Sequence, residues 1–406
     1  MGERPKVRTA EPERRQGEIR FEIPGERLAE DHPARLLARV IEQLDLTALK
    51  EKARVVEGRA GRSLSSPSML LTLWTYGVSR GIGSAREIAR LIKTDEAFRW
   101  IVGDQRVGHS TLSAFRVGHR TALESLMTQV LGVLLEKKLV SLEVVAQDGT
   151  RLRASASAPS FRSEAALQDC REQARLHVKA VLAEADDPSL SKKQSAARQA
   201  AARGLQARVE AAIAEVKELV SPSKPAPRVS TTDPEARVMK MADGGFRPAY
   251  NAQLAVAGKP EGGPRTIVGV RVTNVGSDQS SLRPMVGIIE GKTGLLPKAV
   301  LADANHGTNA CIRALISKQI TPLVAVHKRA NAPEDAALNA WHQLMRSEEG
   351  KRQYRARAGL CELANAMVKR YGLERLLVRG LEKVTCVVLI SALTFNLLQH
   401  ARALIA

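Results

Sequence analysis

Cysteine is scarce in this 406-residue sequence: Cys170, Cys311, Cys361 and Cys386 are the only four, far apart and without a CxxC pair. That spacing excludes a zinc knuckle or a disulfide scaffold and fits a reduced compartment. Residues 1–20 are polar and charged, so the apolar core of a secretory signal is missing there. Long hydrophobic runs are missing too. The longest, residues 384–398, is interrupted by Ser391, Thr394 and Asn396; it falls short of a membrane span and reads as a buried helix. The expectation is a cytoplasmic protein with no membrane partner.

Acidic side chains are outnumbered. Against 62 Lys+Arg stand 43 Asp+Glu, a formal charge of +19. Such a balance favours a polyanionic partner, because each phosphate neutralised by Lys or Arg releases condensed counterions. RNA or an anionic surface would attract the same charge, so it names a partner class and no reaction. With 44% hydrophobic and 26% charged residues the chain is globular. Its length suits about two or three domains.

Several regions differ in character. Residues 1–20 read as a basic arm, and 21–138 as a helical domain. Leu36, Leu37, Val40, Ile41 and Leu44 recur at helix spacing. Ser65-Ser66-Pro67 offers a cap and a first-turn proline, and Ser84-Ala-Arg-Glu87 a capping box. Ser110-Thr111 precedes a further short helix. Short helices broken by Gly-rich turns and carrying Arg suit a helix-turn-helix-like DNA-binding module. A helical dimerisation domain fits the same pattern equally well.

From Leu142 short apolar runs predict strands, the first ending at Asp148-Gly149, the others at 249–257, 266–272, 298–302 and 321–326. Helical patterns at 281–290 and 309–318 separate the later ones. The expected fold class is α/β, an antiparallel part leading into a parallel part. Residues 163–219, rich in Ala, Gln, Arg, Lys and Glu and broken at Asp186-Asp187-Pro188, read as an inserted helical hairpin. Ser221-Pro-Ser-Lys-Pro-Ala-Pro227 reads as a stiff linker back to the sheet. The hairpin can serve DNA, another subunit, or solvent alone.

Two carboxylates end predicted strands, Asp148 and Asp303. Neighbouring strand ends can bring such side chains to a shared divalent cation, and hard oxygen ligands suit Mg²⁺ or Mn²⁺. A pair of metals about 4 Å apart can drive phosphoryl transfer. An aspartate at a strand end is also an ordinary turn or cap residue, so the pair carries more than either alone.

A third acid stands in Tyr354-Arg-Ala-Arg357-Ala-Gly-Leu-Cys-Glu362-Leu-Ala-Asn-Ala-Met-Val-Lys369. This stretch resembles the Y-R-E-K signature of bacterial insertion-sequence DDE transposases. The resemblance extends over most of the chain. Asp148-Gly-Thr-Arg151, Asp243-Gly-Gly-Phe246 with Tyr250-Asn-Ala-Gln253, Val272 to Gln279, Leu301-Ala-Asp303-Ala and Arg379-Gly-Leu-Glu-Lys383 are similar to ordered blocks of that family. Asp31-His-Pro33, Trp74-Thr-Tyr-Gly77, Ser84 to Glu87, Phe98-Arg-Trp100 and Phe115-Arg116 are similar to its associated N-terminal domain.

The resemblance implies an RNase H-like mixed sheet flanked by helices, formed by 139–160 and 228–402. An N-terminal all-α domain precedes it, and the hairpin and linker at 161–227 are inserted. It also implies a catalytic and metal-binding triad of Asp148, Asp303 and Glu362, loaded with two Mg²⁺ or Mn²⁺ ions. Tyr354, Arg357 and Lys369 would contact DNA. The implied reaction is strand cleavage at element ends and strand transfer into target DNA, without a covalent protein–DNA intermediate. Its partners would be the double-stranded DNA of terminal inverted repeats and target, in the bacterial nucleoid, with a homodimer or larger assembly on DNA. A catalytically decayed DNA-binding protein and an RNase H-like nuclease without strand transfer are the alternatives.

The chain departs from its relatives in two places: Asn305-His306 replaces Gly-Tyr, and Asn365-Ala366 replaces Phe-Gly. His306 reads first as an exposed loop histidine and otherwise as a hydrogen-bond partner of DNA or of Asp303, and Asp278 as a residue that supports the site from behind or caps the helix before Ser281. On a helix Lys369 returns to the face of Glu362, while Arg357 lies about 140° away. Gly287-Ile-Ile-Glu-Gly291-Lys-Thr293 imitates a phosphate loop but is one residue short and sits in a helical pattern. Asp243 and Glu382 lack the context of the three chosen acids.

Overall fold

Helix starts follow the capping chemistry written in the chain. The computed structural model describes residues 23–50, 65–103, 105–184, 189–221, 226–259, 262–279, 281–326 and 335–405. The expected basic arm, the break at Asp186–Pro188 and the middle of the 221–227 linker lie outside them. Helix α1 (Pro33–Glu42) has a first-turn proline, and the His32 ring accepts from Ala34 N at 3.1 Å. After α2 (Thr47–Lys50), α3 (Pro67–Ser79) repeats the device with Ser66 as cap. At α4 (Ala85–Thr94) only half the expected box forms. Ser84 Oγ accepts from Glu87 N at 3.3 Å, but the Glu87 carboxylate turns to Arg90 at 2.7 Å. Helices α5 (Glu96–Val102), α6 (His109–Gly118) and α7 (Arg120–Glu136) follow. They close around the fully buried Trp74, whose Nε1 donates to Leu112 O at 3.0 Å.

Strand β1 (Val144–Arg153) leads through β2 (Phe161–Arg162) into the inserted hairpin of α8 (Glu164–Ala183) and α9 (Lys192–Leu219). The hairpin closes on Leu167, Val209, Ile213 and Val216, and β3 (Val229–Ser230) returns beside β2. A complete capping box starts α9: Ser191 accepts from Gln194 N while the Gln194 side chain reaches back to Ser191 N.

Next come β4 (Arg237–Lys240), β5 (Phe246–Ala257), β6 (Thr266–Thr273), α10 (Leu282–Thr293), β7 (Ala299–Ala302), α11 (Asn309–Ser317) and β8 (Thr321–Val324). Helices α12 (Ala336–Arg346), α13 (Glu348–Tyr354) and α14 (Ala356–Val368) precede a π-helical segment, Lys369–Leu373, and then α15 (Leu381–Ile405). The sheet order is β4-β5-β1-β7-β8, with β6 also on β5. β1 and β6 each run antiparallel to β5; β7 and β8 run parallel to β1. This is the mixed α/β sheet expected of the sequence, an antiparallel half passing into a parallel half.

One difference bears on the site. The sequence predicts that β1 ends at Asp148, yet pairing with β5 continues to Arg153↔Ala249. Gly149 is not a turn residue. It stays in the ladder opposite Gln253, where a Cβ would lie 2.7 Å from Asp278 Oδ1 and closer still to Gln253 Nε2. Its bare backbone makes room for polar side chains from neighbouring strands.

By length and composition α15 could cross a membrane, but 78% of its most apolar window is buried inside the protein. It packs on α1, α3, α6 and α7 on one side and on β6 on the other. Asn396, fully buried, donates to Ile267 O and accepts from Ile267 N, each at 2.8 Å. One hydrophobic cluster therefore runs from the N-terminal helices through α15 into the sheet. A second junction is glycine against glycine. Gly372 has φ +81°, and a Cβ there would lie 2.9 Å from Gly81 O and 3.0 Å from Gly83 N.

Candidate active site

The parallel pairing of β1 and β7 ends at Ala146↔Leu301. Two residues further along stand Asp148, still in β1, and Asp303, just past the end of β7, so the same register sets the two aspartates side by side. Asp303 caps the 3-10 turn Ala304–His306: its Oδ1 accepts from Asn305 N at 3.1 Å and meets His306 Nδ1 at 2.5 Å. Asp148 is held from α14. Its Oδ1 accepts from Arg357 Nη2 at 3.1 Å and from Gly149 N at 3.0 Å, and its Oδ2 accepts from Asn365 Nδ2 at 3.0 Å.

The two carboxylates are tuned apart. Burial pushes Asp148 above the usual carboxylate range, the charge of Asp303 adds to that, and Arg357, the Gly149 N–H and His306 only partly offset it. Burial pushes Asp303 upward as well. There the His306 hydrogen bond and charge, with Arg357 and the Asn305 N–H, outweigh burial and hold it below its ordinary value. Both respond to Arg357, and each to the other's surroundings, which places them in one electrostatic site.

Glu362 is not brought to the aspartates. It lies on the exposed face of α14 and makes no hydrogen bond or ion pair among the described residues. Its charge is felt by the neighbouring Cys361 thiol, which burial pushes up to about 12. Lys369, also exposed, opens the π-helical segment after α14. Tyr354 ends α13, half-buried, where burial raises its hydroxyl pKa and the charges of Arg357, Asp303 and Asp148 reach it. Among the described residues no group of three His, Cys, Asp or Glu side chains is placed to hold a metal ion.

Three residues near the aspartates are not among the site residues read from the sequence. Asn365 stands eight residues after Arg357, about 80° around the same helix, so a helical wheel centred on Arg357 finds it. His306 is the second. It is fully buried, not exposed in a loop; it makes the contact with Asp303 that is its second reading in the sequence, and its Nε2 reaches Gln253 Oε1 at 3.1 Å. Gln253, the third, lies opposite Gly149 on β5. Asp278 does not cap α10 with its side chain; its carboxylate takes Asn251, Gln253 and Arg151 instead. Asp243 is spent on an exposed ion pair with Arg247, and the phosphate-loop imitation lies inside α10.

Two family models match this chain. The Transposase domain (DUF772) covers residues 23–118, which include α1 to α6. The Transposase DDE domain covers residues 307–401, starting just past Asp303 and taking in Arg357, Glu362, Asn365 and Lys369. No curated protein and no solved structure matches. An N-terminal and a C-terminal match of one kind, on either side of an aspartate pair, define a transposase. Both matches are to transposase domains, and together they support an insertion-sequence DDE transposase.

Proposed function

We propose that this transposase cuts DNA at the ends of its element and joins the freed 3′-hydroxyls to target DNA, using Asp148, Asp303 and Glu362 on an RNase H-like scaffold. The observation that carries this reading is the pairing of Asp148 with Asp303 at the open end of the β1–β7 ladder, beneath α14. Strand order supports the RNase H-like scaffold: β6, β5 and β1 form an antiparallel meander, and β7 and β8 continue it in parallel. The spacing of Tyr354, Arg357, Glu362 and Lys369 supports the Y-R-E-K branch.

The donor set suits Mg²⁺ or Mn²⁺, two ions in the full site. Hard carboxylate oxygens stand together, and Asp303 Oδ2 carries no hydrogen bond among the described residues. Mg²⁺ typically takes one or two carboxylates and leaves its remaining positions to water and substrate phosphate. Such ions, when bound, activate water or a 3′-hydroxyl and stabilise the leaving oxygen. Asp148 and Asp303 are the residues that would hold them. Glu362, about 60° around α14 from Asn365, is the acid left for the DNA-bound state. Lys369 and Tyr354 supply phosphate contacts, and Arg357 serves both Asp148 and the backbone of the DNA. The N-terminal helices bind the terminal inverted repeats, and the working form is a dimer or larger.

Asp148→Asn, Asp303→Asn and Glu362→Gln in the purified protein should each abolish Mg²⁺-dependent cleavage while leaving binding to element ends intact. Normal cleavage by any one removes that residue from the triad. Cleavage without joining in a paired-end strand-transfer assay would make the protein a nuclease. End binding with no metal-dependent product from the unmodified protein would fit the exposed position of Glu362 and make it a DNA-binding protein without catalysis.

A further inference from the structure

A chain of buried polar side chains runs from Asp303 across the sheet to Arg151, and the proposed reaction makes no use of it. His306 Nδ1 meets Asp303, and His306 Nε2 meets Gln253 Oε1 at 3.1 Å. Gln253 Nε2 lies 2.6 Å from Asp278 Oδ1, and Arg151 Nη2 lies 2.9 Å from Asp278 Oδ2. Gln147 and Asn251 brace the middle: Gln147 Nε2 donates to Gln253 Oε1 at 3.0 Å, and Asn251 Nδ2 to Asp278 Oδ1 at 2.8 Å. Exposure is 0% at His306, 1% at Gln147, Asn251 and Gln253, and 9% at Asp278, so solvent cannot substitute for these contacts.

The direction of the hydrogen bonds follows from chemistry. An ionised Asp278 only accepts, so the Gln253 amide must turn its NH₂ toward it. Gln253 Oε1 then faces His306, and an imidazole with a proton on each nitrogen donates to it through Nε2 and to Asp303 Oδ1 through Nδ1. The ring is thereby fixed with Nδ1 against Asp303 Oδ1. Gly149 supplies the clearance, since any Cβ there would strike both Gln253 and Asp278. Buried polar groups are costly unless every one is paired, and an apolar core would pack this space as well. What the chain adds is orientation. With Oδ1 engaged by His306 and Asn305, Asp303 keeps Oδ2 as its open oxygen.

We propose that Gln253, acting through His306 and anchored by Asp278 and Arg151, is a positioning residue that aims the Asp303 carboxylate at a divalent cation. This rests on the reading of Asp303 as a metal-holding acid. Groups behind a metal ligand commonly change metal affinity by about 10–100-fold when removed.

The test is Mn²⁺ binding to the full chain, titrated by electron paramagnetic resonance, with circular dichroism to establish folding. Asp303→Asn should lose binding. Gln253→Leu and His306→Ala should weaken it about tenfold or more. His306→Asn, which returns a donor close to the Nδ1 position, should recover most of the loss. If Asp303→Asn binds Mn²⁺ like the unmodified protein, the metal-holding reading fails and the positioning role falls with it. If Asp303→Asn loses binding while Gln253→Leu and His306→Ala do not, only the positioning role is overturned. Equal weakening in His306→Asn and His306→Ala would also overturn it, since the hydrogen bond would not be the agent. Should Gln253→Leu fail to fold, Asp278→Asn takes its place, and undiminished affinity there counts against the chain.

Discussion

Asn365 on α14 and Asp148 on β1, 217 residues apart in the chain, are joined by a hydrogen bond of 3.0 Å between the asparagine amide and the aspartate Oδ2. With Arg357 on the other oxygen, one carboxylate of the sheet takes two side chains of α14. The pairing is incomplete on the helix side, because Asn365 Oδ1 and Arg357 Nε are buried without a partner among the described residues. Substitution of this asparagine is accordingly informative. Asn365→Ala should destabilise the fold by about 1–3 kcal/mol, the cost of an Asp148 oxygen left unpaired. Asn365→Asp sets two carboxylates together; it should lower the thermal midpoint in chelator and regain it in Mn²⁺. A midpoint indifferent to Mn²⁺ would speak against a cation at Asp148.

The split between the two aspartates makes opposite contributions to stability. Asp148, raised in the folded state, binds its proton more tightly there than in the unfolded chain. It therefore lowers stability as pH climbs from the ordinary value of 3.8 through the raised one, and the loss persists above. Asp303, lowered when folded, contributes stability above 3.8 that disappears as pH falls through its folded value. At neutral pH, in the absence of metal, Asp303→Asn should melt below the unmodified protein and Asp148→Asn should not. Equal destabilisation by both would contradict the assignment.

Gly372→Ala should cost about 1–3 kcal/mol from the left-handed backbone alone. The clash with Gly81 O and Gly83 N adds to it. Urea denaturation reads the total. Because this contact joins the α3–α4 turn to the segment after α14, the variant should also lose protection from hydrogen exchange on both sides of the junction.

Asn396→Leu removes both hydrogen bonds that α15 makes to Ile267 in β6. Two buried backbone groups then lack partners, a loss of about 2–4 kcal/mol. An unchanged urea midpoint would mean that the backbone of β6 finds other partners.

Much of this architecture is legible in the chain. Each of the five runs read as strands has a counterpart in the sheet, and Pro33, Ser66 and Ser84 mark helix starts. What escapes are features set by distant partners. β2 and β3 are two residues each, too short to leave a periodic signal. Gly149 looks locally like a turn, and only Gln253, more than a hundred residues on, explains why it lacks a side chain. His306 follows a strand in a polar stretch and reads as exposed; its burial depends on the same Gln253. The aspartate pair is legible because strand ends and parallel register are local rules. Glu362 is legible only through the company of Tyr354 and Lys369, and the fold leaves it on the outer face of its helix.

The position of α15 in the core has a consequence for synthesis. The helices built from the first part of the chain surround a partner that is translated after every strand of the sheet. While the ribosome is still making the sheet, those early helices lack the surface they fold against. A chain cut short before α15 should then be loosely packed and good prey for proteases, because the early helices lack a core until those 25 residues dock.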